Sequence, residues 1–154
     1  MADVAVKEVP REPATVRRFE TADLNTHGPW LLKRFQAKFP AFTEREIAGY
    51  LSGMIYNNEH LFLYQDNAVT LAQMTFSAGI RPERVVQERF VWVRDRKDQD
   101  QLEAAADFYT EIKTWAKRQD AQRIIVCEDS DIPKPLIIAR IGRIFDTAIC
   151  HVRM

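Results

Sequence analysis

Arg84-Val85-Val86-Gln87-Glu88-Arg89-Phe90-Val91-Trp92-Val93-Arg94, the charged run Arg94-Asp95-Arg96-Lys97-Asp98-Gln99-Asp100-Gln101, and the apolar stretch Arg123-Ile124-Ile125-Val126-Cys127 decide the fold. The first is the strongest strand in the chain. Val85, Val91 and Val93 are expected on one face and Val86, Phe90 and Trp92 on the other, so the strand belongs in the middle of a sheet. Between Asp100 and Arg118, Leu102, Ala105, Ala106, Tyr109, Ile112, Trp115 and Ala116 recur at three and four. That spacing predicts one amphipathic helix, with Glu103, Asp107, Glu111, Lys113 and Lys117 on its polar face. Residues 123–127 read as a short buried parallel strand. Glu128-Asp129-Ser130-Asp131 is a polar turn, Pro133 and Pro135 suit a first helical turn continued by Leu136 to Ile141, and Phe145 to Val152 is a closing strand.

Upstream, residues 1 to about 13 carry two prolines and no periodicity, and read as a flexible arm. One domain is expected over 14–154. Ala14 to Phe19 suits a first strand, and Thr21-Ala22-Asp23 a turn or cap. Trp30, Leu31, Arg34 and Phe35 follow Gly28-Pro29 at helical spacing, which predicts a helix from that pair to Pro40. A second helix starts at Thr43, with Glu46 completing a capping box and Ile47, Leu51, Met54 and Ile55 forming one stripe. Leu61 to Tyr64 and Ala68 to Phe76 form a hairpin about Asp66-Asn67, residues that tolerate positive φ, and Gly79-Ile80-Arg81-Pro82 breaks its second strand.

The chain has 154 residues, 46% hydrophobic and 29% charged, with a formal net charge of zero. Such a balance offers no overall field for nucleic acid or an anionic membrane. No run approaches the ~20 apolar residues of a membrane helix, the first ten residues do not form a signal peptide, and a cytoplasmic location is expected. Cys127 and Cys150, each in an apolar run, are read as buried free thiols. His27, His60 and His151 are too dispersed for a metal motif, so no metal site is expected. Trp30, Phe35, Phe39 and Phe42 are read first as helix core, with an interface role second.

The order of elements predicts an α/β (α+β) fold. Residues 62–73 are similar to the second and third strands of the GNAT superfamily of N-acetyltransferases, residues 111–126 to its third helix and fifth strand, and residues 136–145 to its closing helix. The chain therefore resembles that superfamily over about 14–154. Trp115-Ala116 and Phe39-Pro40-Ala41-Phe42 also resemble GNAT-like proteins of tailed phages. The resemblance implies a central mixed, mostly antiparallel, twisted sheet of six to seven strands with helices on both faces. It leaves two points for the structure to decide: whether the fourth and fifth strands splay apart to leave a CoA-sized cleft, and whether Trp92 or Arg94 fills it.

The family pattern then departs at three places. Its fourth strand feeds a Q/R-x-x-G-x-G/A turn whose amides hold pyrophosphate, because glycines let the backbone approach and the helix dipole favours the charge. Arg96 to Gln101 match that turn, with Gln99 and Gln101 for the small residues and Asp98 and Asp100 adding negative charge. A carboxylate ~4 Å from phosphate costs on the order of several kcal/mol at a surface site. Ile138 stands where the family places a tyrosine general acid, and Asp131 and Arg143 replace its asparagine and phenylalanine. Glu88 matches the strand carboxylate that serves as general base. The degenerate pattern implies a GNAT-fold binding or assembly module without ordinary acetyl-CoA catalysis and without a cofactor. Such a module would be a phage virion or virion-accessory protein with a virion or host protein as partner, with homo-oligomerisation left open. The alternative is an acetyl-CoA-dependent N-acyltransferase for a small-molecule or protein amine, with Glu88 as base and Val93, Arg94, Arg96 and Lys97 gripping the acyl-CoA.

Overall fold

A computed structural model describes residues 15–77, 82–127 and 130–141. The expected arm at 1–13, the break at Gly79 to Arg81, Glu128 and Asp129, the closing strand Phe145 to Val152 and Cys150 lie outside the described residues.

The sheet is organised by one turn and one bulge. Asp66 and Asn67 have φ of 33° and 61°, the left-handed geometry of a two-residue hairpin whose twist matches that of its strands. It joins β2 (His60–Gln65) to β3 (Ala68–Ser77), with Gln65 opposite Ala68. β3 pairs antiparallel with β4 (Glu83–Val93), but Leu71 lies opposite Phe90 and Ala72 opposite Glu88, which leaves Arg89 as an extra residue. This β-bulge resets the alternation of faces. Val86 therefore packs in the same cluster as Val91 and Val93, while Phe90 and Trp92 pack on the other side. The expected grouping of Val86 with Phe90 and Trp92 is corrected by that single residue.

β1 (Arg17–Arg18) pairs antiparallel with β2, and β5 (Arg123–Ile125) pairs parallel with β4. The order is β1-β2-β3-β4-β5, a mixed and mostly antiparallel sheet of five strands among the described residues, fewer than the six to seven expected. Helices cover both faces. α1 (Thr21–Lys38) and α2 (Glu44–Tyr56) bury Leu31, Phe35, Ile47 and Leu51 against Phe62, Leu71, Phe90 and Trp92. On the opposite face α3 (Gln99–Ala105), α4 (Phe108–Arg118) and α5 (Lys134–Ile141) bury Leu102, Phe108, Ile112 and Ile137 against Leu61, Leu63, Val91 and Val93.

Thr43 caps α2 as expected, accepting from the Glu46 amide at 3.1 Å while Glu46 accepts from the Thr43 amide. Other expectations change. α1 begins at Thr21 rather than at Gly28-Pro29, because Asp23 accepts from the Glu20 amide at 2.7 Å and from Arg17 at 2.7 and 2.8 Å. Pro29 then lies inside the helix and forgoes one ladder hydrogen bond. The helix expected from Asp100 to Arg118 is two, α3 and α4, with bonds from Tyr109 N to Ala106 O and Thr110 N to Asp107 O tightening the turn between them. Lys113, expected on a solvated face, is buried, and its Nζ donates to the Arg140 carbonyl at 3.2 Å in the last turn of α5. The sequence pattern could not reveal this, because the acceptor is a backbone group of a different helix.

Candidate functional site

The two strands that would flank an acyl-CoA cleft do part. β4 and β5 pair only from Val85 with Arg123 to Gln87 with Ile125, and β4 continues alone to Val93. The chain leaving β5 then follows the free edge of β4. The Cys127 amide donates to Glu88 Oε1 at 3.1 Å, the Asp131 amide donates to the Val91 carbonyl at 3.3 Å, and Asp131 Oδ2 accepts from the Val93 amide at 2.8 Å. Arg34, from α1, reaches both Asp131 carboxylate oxygens from Nη2 at 3.0 Å, a bifurcated charge-assisted contact, and its Nη1 extends to the Val93 carbonyl at 3.5 Å. The Asp131 side chain is 7% exposed. Neither Trp92 nor Arg94 fills the opening: Trp92 lies under the Arg34 guanidinium at 5.1 Å on the α1 side, and Arg94 is exposed.

The loop after β4 also meets its own needs. Asp98 caps α3 by accepting from the Gln101 amide at 3.2 Å, and Gln101 Oε1 accepts from the Asp95 amide at 3.1 Å. The helix start that would receive a phosphate carries a carboxylate instead. Val93 is buried with its amide on Asp131, while Arg94, Arg96 and Lys97 lie exposed on the loop. Ile138 is exposed on α5. The Val91 carbonyl and the Val93 amide on this edge of β4 are thus already bonded to Asp131.

Glu88 sits on the α4 side of β4, 3% exposed. Its Oε1 accepts from Tyr109 Oη at 2.8 Å, and Thr70 Oγ1 lies 2.9 Å from Oε2 and 3.0 Å from the Phe90 carbonyl. A hydroxyl carries one proton. If Glu88 is protonated, it donates to Thr70, and Thr70 donates to Phe90, so that every group is satisfied. If it is ionised, Thr70 must choose. Burial raises the Glu88 pKa to about 7, against the lowering effect of the Cys127, Tyr109 and Thr70 hydrogen bonds. Tyr109 is pushed well above its ordinary value by burial and by the adjacent carboxyl.

On the other face of the sheet, a cavity of about 410 Å³ lies between the α1–α2 connection and the bulge. Phe35, Ile47, Phe90 and Trp92 line it together with the exposed Phe39, Phe42 and Tyr50, and Lys38, Glu46 and Arg89 are the charged lining residues. The expectation that Phe39 and Phe42 are helix core is corrected: Pro40 ends α1 before them and leaves both rings half out of the protein. Glu88 is not part of this lining, because the bulge turns it to the opposite face. Burial also raises the Tyr50 pKa, with Arg89 acting against it.

Of the expected site residues, the structure places Glu88 and Val93 on β4, both buried, while Arg94, Arg96 and Lys97 follow on the loop and are exposed. Reading the sequence missed Arg34, Thr70, Tyr109 and Arg89 as site residues. For Arg34 a signal existed, since it interrupts an apolar stripe and so invites a buried partner. Among the described residues no group of three His, Cys, Asp or Glu side chains could hold a metal ion, and no helix is long and apolar enough to cross a membrane.

No family model and no curated protein matches the chain. A solved structure with a similar fold is the apo aminoglycoside antibiotic 6'-N-acetyltransferase of Acinetobacter haemolyticus, at a TM-score of 0.56 and 13% identity, covering 91% of this chain and 94% of that one. At that identity the likeness concerns architecture: this is an α/β fold of the GNAT acetyltransferase kind.

Proposed function

We propose that the chain is a GNAT-fold binding or assembly module that does not carry out ordinary acetyl-CoA chemistry. The observation supporting this most strongly is Asp131 on the free edge of β4, where its amide, its carboxylate and Arg34 take up the backbone groups of Val91 and Val93. Asp98 on the start of α3 supports the same reading, and so does the separation of Glu88 from the aromatic cavity by the sheet. The substrate named for the structural neighbour does not carry over. An aminoglycoside is a polyamine, and this cavity presents Lys38 and Arg89 against one carboxylate, Glu46. A phage-particle setting, with a virion or host protein as partner, rests on the sequence resemblance alone.

The second reading is an acetyl-CoA-dependent N-acyltransferase. It is favoured by the fold likeness and by Glu88, a strand carboxyl whose pKa burial lifts to about 7, the range suited to a general base. Thermal unfolding with acetyl-CoA separates the two. The module reading expects no shift of the midpoint at ~1 mM ligand, and a rise of several degrees would overturn it, because a ligand that binds only the folded state must stabilise it.

A further inference from the structure

We propose that the cavity between α1, α2 and the β4 bulge seats an aromatic side chain of a partner protein that is flanked by carboxylates, an aromatic residue next to Asp or Glu. The inference rests on the binding-module reading and specifies the chemistry of the partner.

Three of the six exposed large apolar side chains among the described residues, Phe39, Phe42 and Tyr50, surround this one cavity, at 42%, 49% and 40% exposure. Scattered apolar side chains are ordinary on a surface, but a cluster around a concavity marks a contact site. Phe35 meets Trp92, Phe90 and Tyr50 edge-on at 4.7, 5.3 and 6.0 Å, and Phe39 meets Phe42 edge-on at 6.0 Å. The lining is thus a set of mutually packed rings, and a further ring can join it in the edge-on or offset-stacked geometry that aromatic pairs favour. At about 410 Å³ the space exceeds one ring and admits the ring with its chain neighbours.

Charge then selects the neighbours. Lys38 and Arg89 are the cations of the lining against a single carboxylate, Glu46, so the lining carries one positive charge in excess. A carboxylate beside the inserted ring meets a favourable field, and an ammonium group an unfavourable one. The rings that contact the partner lie on the outer surface rather than in an enclosed chamber, and rings with an arginine are the composition of an interface centre. Both features favour a protruding protein side chain over a small molecule.

Capped pentapeptides provide the probes: Gly-Asp-Phe-Asp-Gly, Gly-Lys-Phe-Lys-Gly and Gly-Asp-Ala-Asp-Gly, titrated while the indole N–H resonance of Trp92 is followed. The acidic phenylalanine peptide is expected to shift that resonance with a Kd of ~1 mM or tighter, roughly five-fold or more below that of the lysine peptide, and the alanine peptide to leave it in place. Phe42→Ser and Arg89→Glu are each expected to weaken binding about five-fold or more, whereas Phe76→Ser, exposed on β3, leaves it unchanged. Equal binding of the lysine peptide overturns the proposal, as does the absence of any shift at ~5 mM peptide. Binding of 2-naphthoate with no peptide binding overturns it in favour of a small organic acid. Adding acetyl-CoA to the same samples keeps the two claims separate: shifts confined to the Val93 and Asp131 amides would refute the module reading while the peptide result stands.

Discussion

The Asp131 carboxylate accepts the Val93 amide at 2.8 Å, a contact between a loop beyond β5 and the last residue of β4, 38 positions apart. With Arg34 clamping the same carboxylate from α1, three elements that are distant in sequence meet where two strands of the sheet diverge. The protein completes this stretch of its sheet edge with its own side chain.

Removing that side chain leaves the Val93 amide and one side of Arg34 without their partner. Asp131→Ala is expected to lower unfolding stability by ~2 kcal/mol, within the range for orphaning a buried donor to a charged group. Asp131→Asn can keep one oxygen for the Val93 amide but loses the charge and one of the two acceptors that Arg34 uses, so it should also destabilise, by less than the alanine variant. Urea unfolding of the two variants checks this, and an alanine variant as stable as the native chain would contradict the role given to the clamp.

Glu88 makes stability depend on pH in a defined direction. Its folded-state pKa, raised from 4.5 to about 7, means that the folded protein holds a proton that the unfolded chain has released between those values. Stability from this group is therefore fully present below about 4.5 and is lost as pH rises towards 7, by on the order of 3 kcal/mol. His27 and His60, whose pKa values burial lowers, act in the opposite direction as pH rises. The informative quantity is thus the native chain minus Glu88→Gln, measured at pH 5 and pH 7.5. The native chain should lose more stability than the variant between the two, and parallel profiles would show that Glu88 is already ionised at the lower pH.

The hairpin turn gives a local test. Asn67 has φ of 61°, so Asn67→Gly should leave stability within a few tenths of a kcal/mol or raise it. Asn67→Val, β-branched in the left-handed region, should cost ~1–2 kcal/mol in the same unfolding assay. Equal stability of the two variants would contradict the turn geometry.

What the sequence disclosed was whatever short-range chemistry controls. The Asp66-Asn67 turn and the Thr43–Glu46 box each act within a few residues, and both lie where they were expected. The extra residue at Arg89 was hidden, because a bulge is defined by the partner strand, and with it went the facing of Val86 and the side on which Glu88 lies. Pro29 misplaced the start of α1, since the competing signal was an Arg17–Asp23 pair that bridges a strand and a helix. Glu88 was legible as a candidate, but its proton-holding partners Thr70 and Tyr109 come from β3 and α4. The Arg34–Asp131 clamp, 97 positions apart, left only the trace of a charged residue in an apolar stripe.

The most direct test is isothermal titration of acetyl-CoA into the native protein. A closed β4 edge predicts no saturable heat up to ~1 mM ligand. Micromolar binding that weakens when Arg96 and Lys97 are reversed to glutamate would contradict the account and restore the acyltransferase reading.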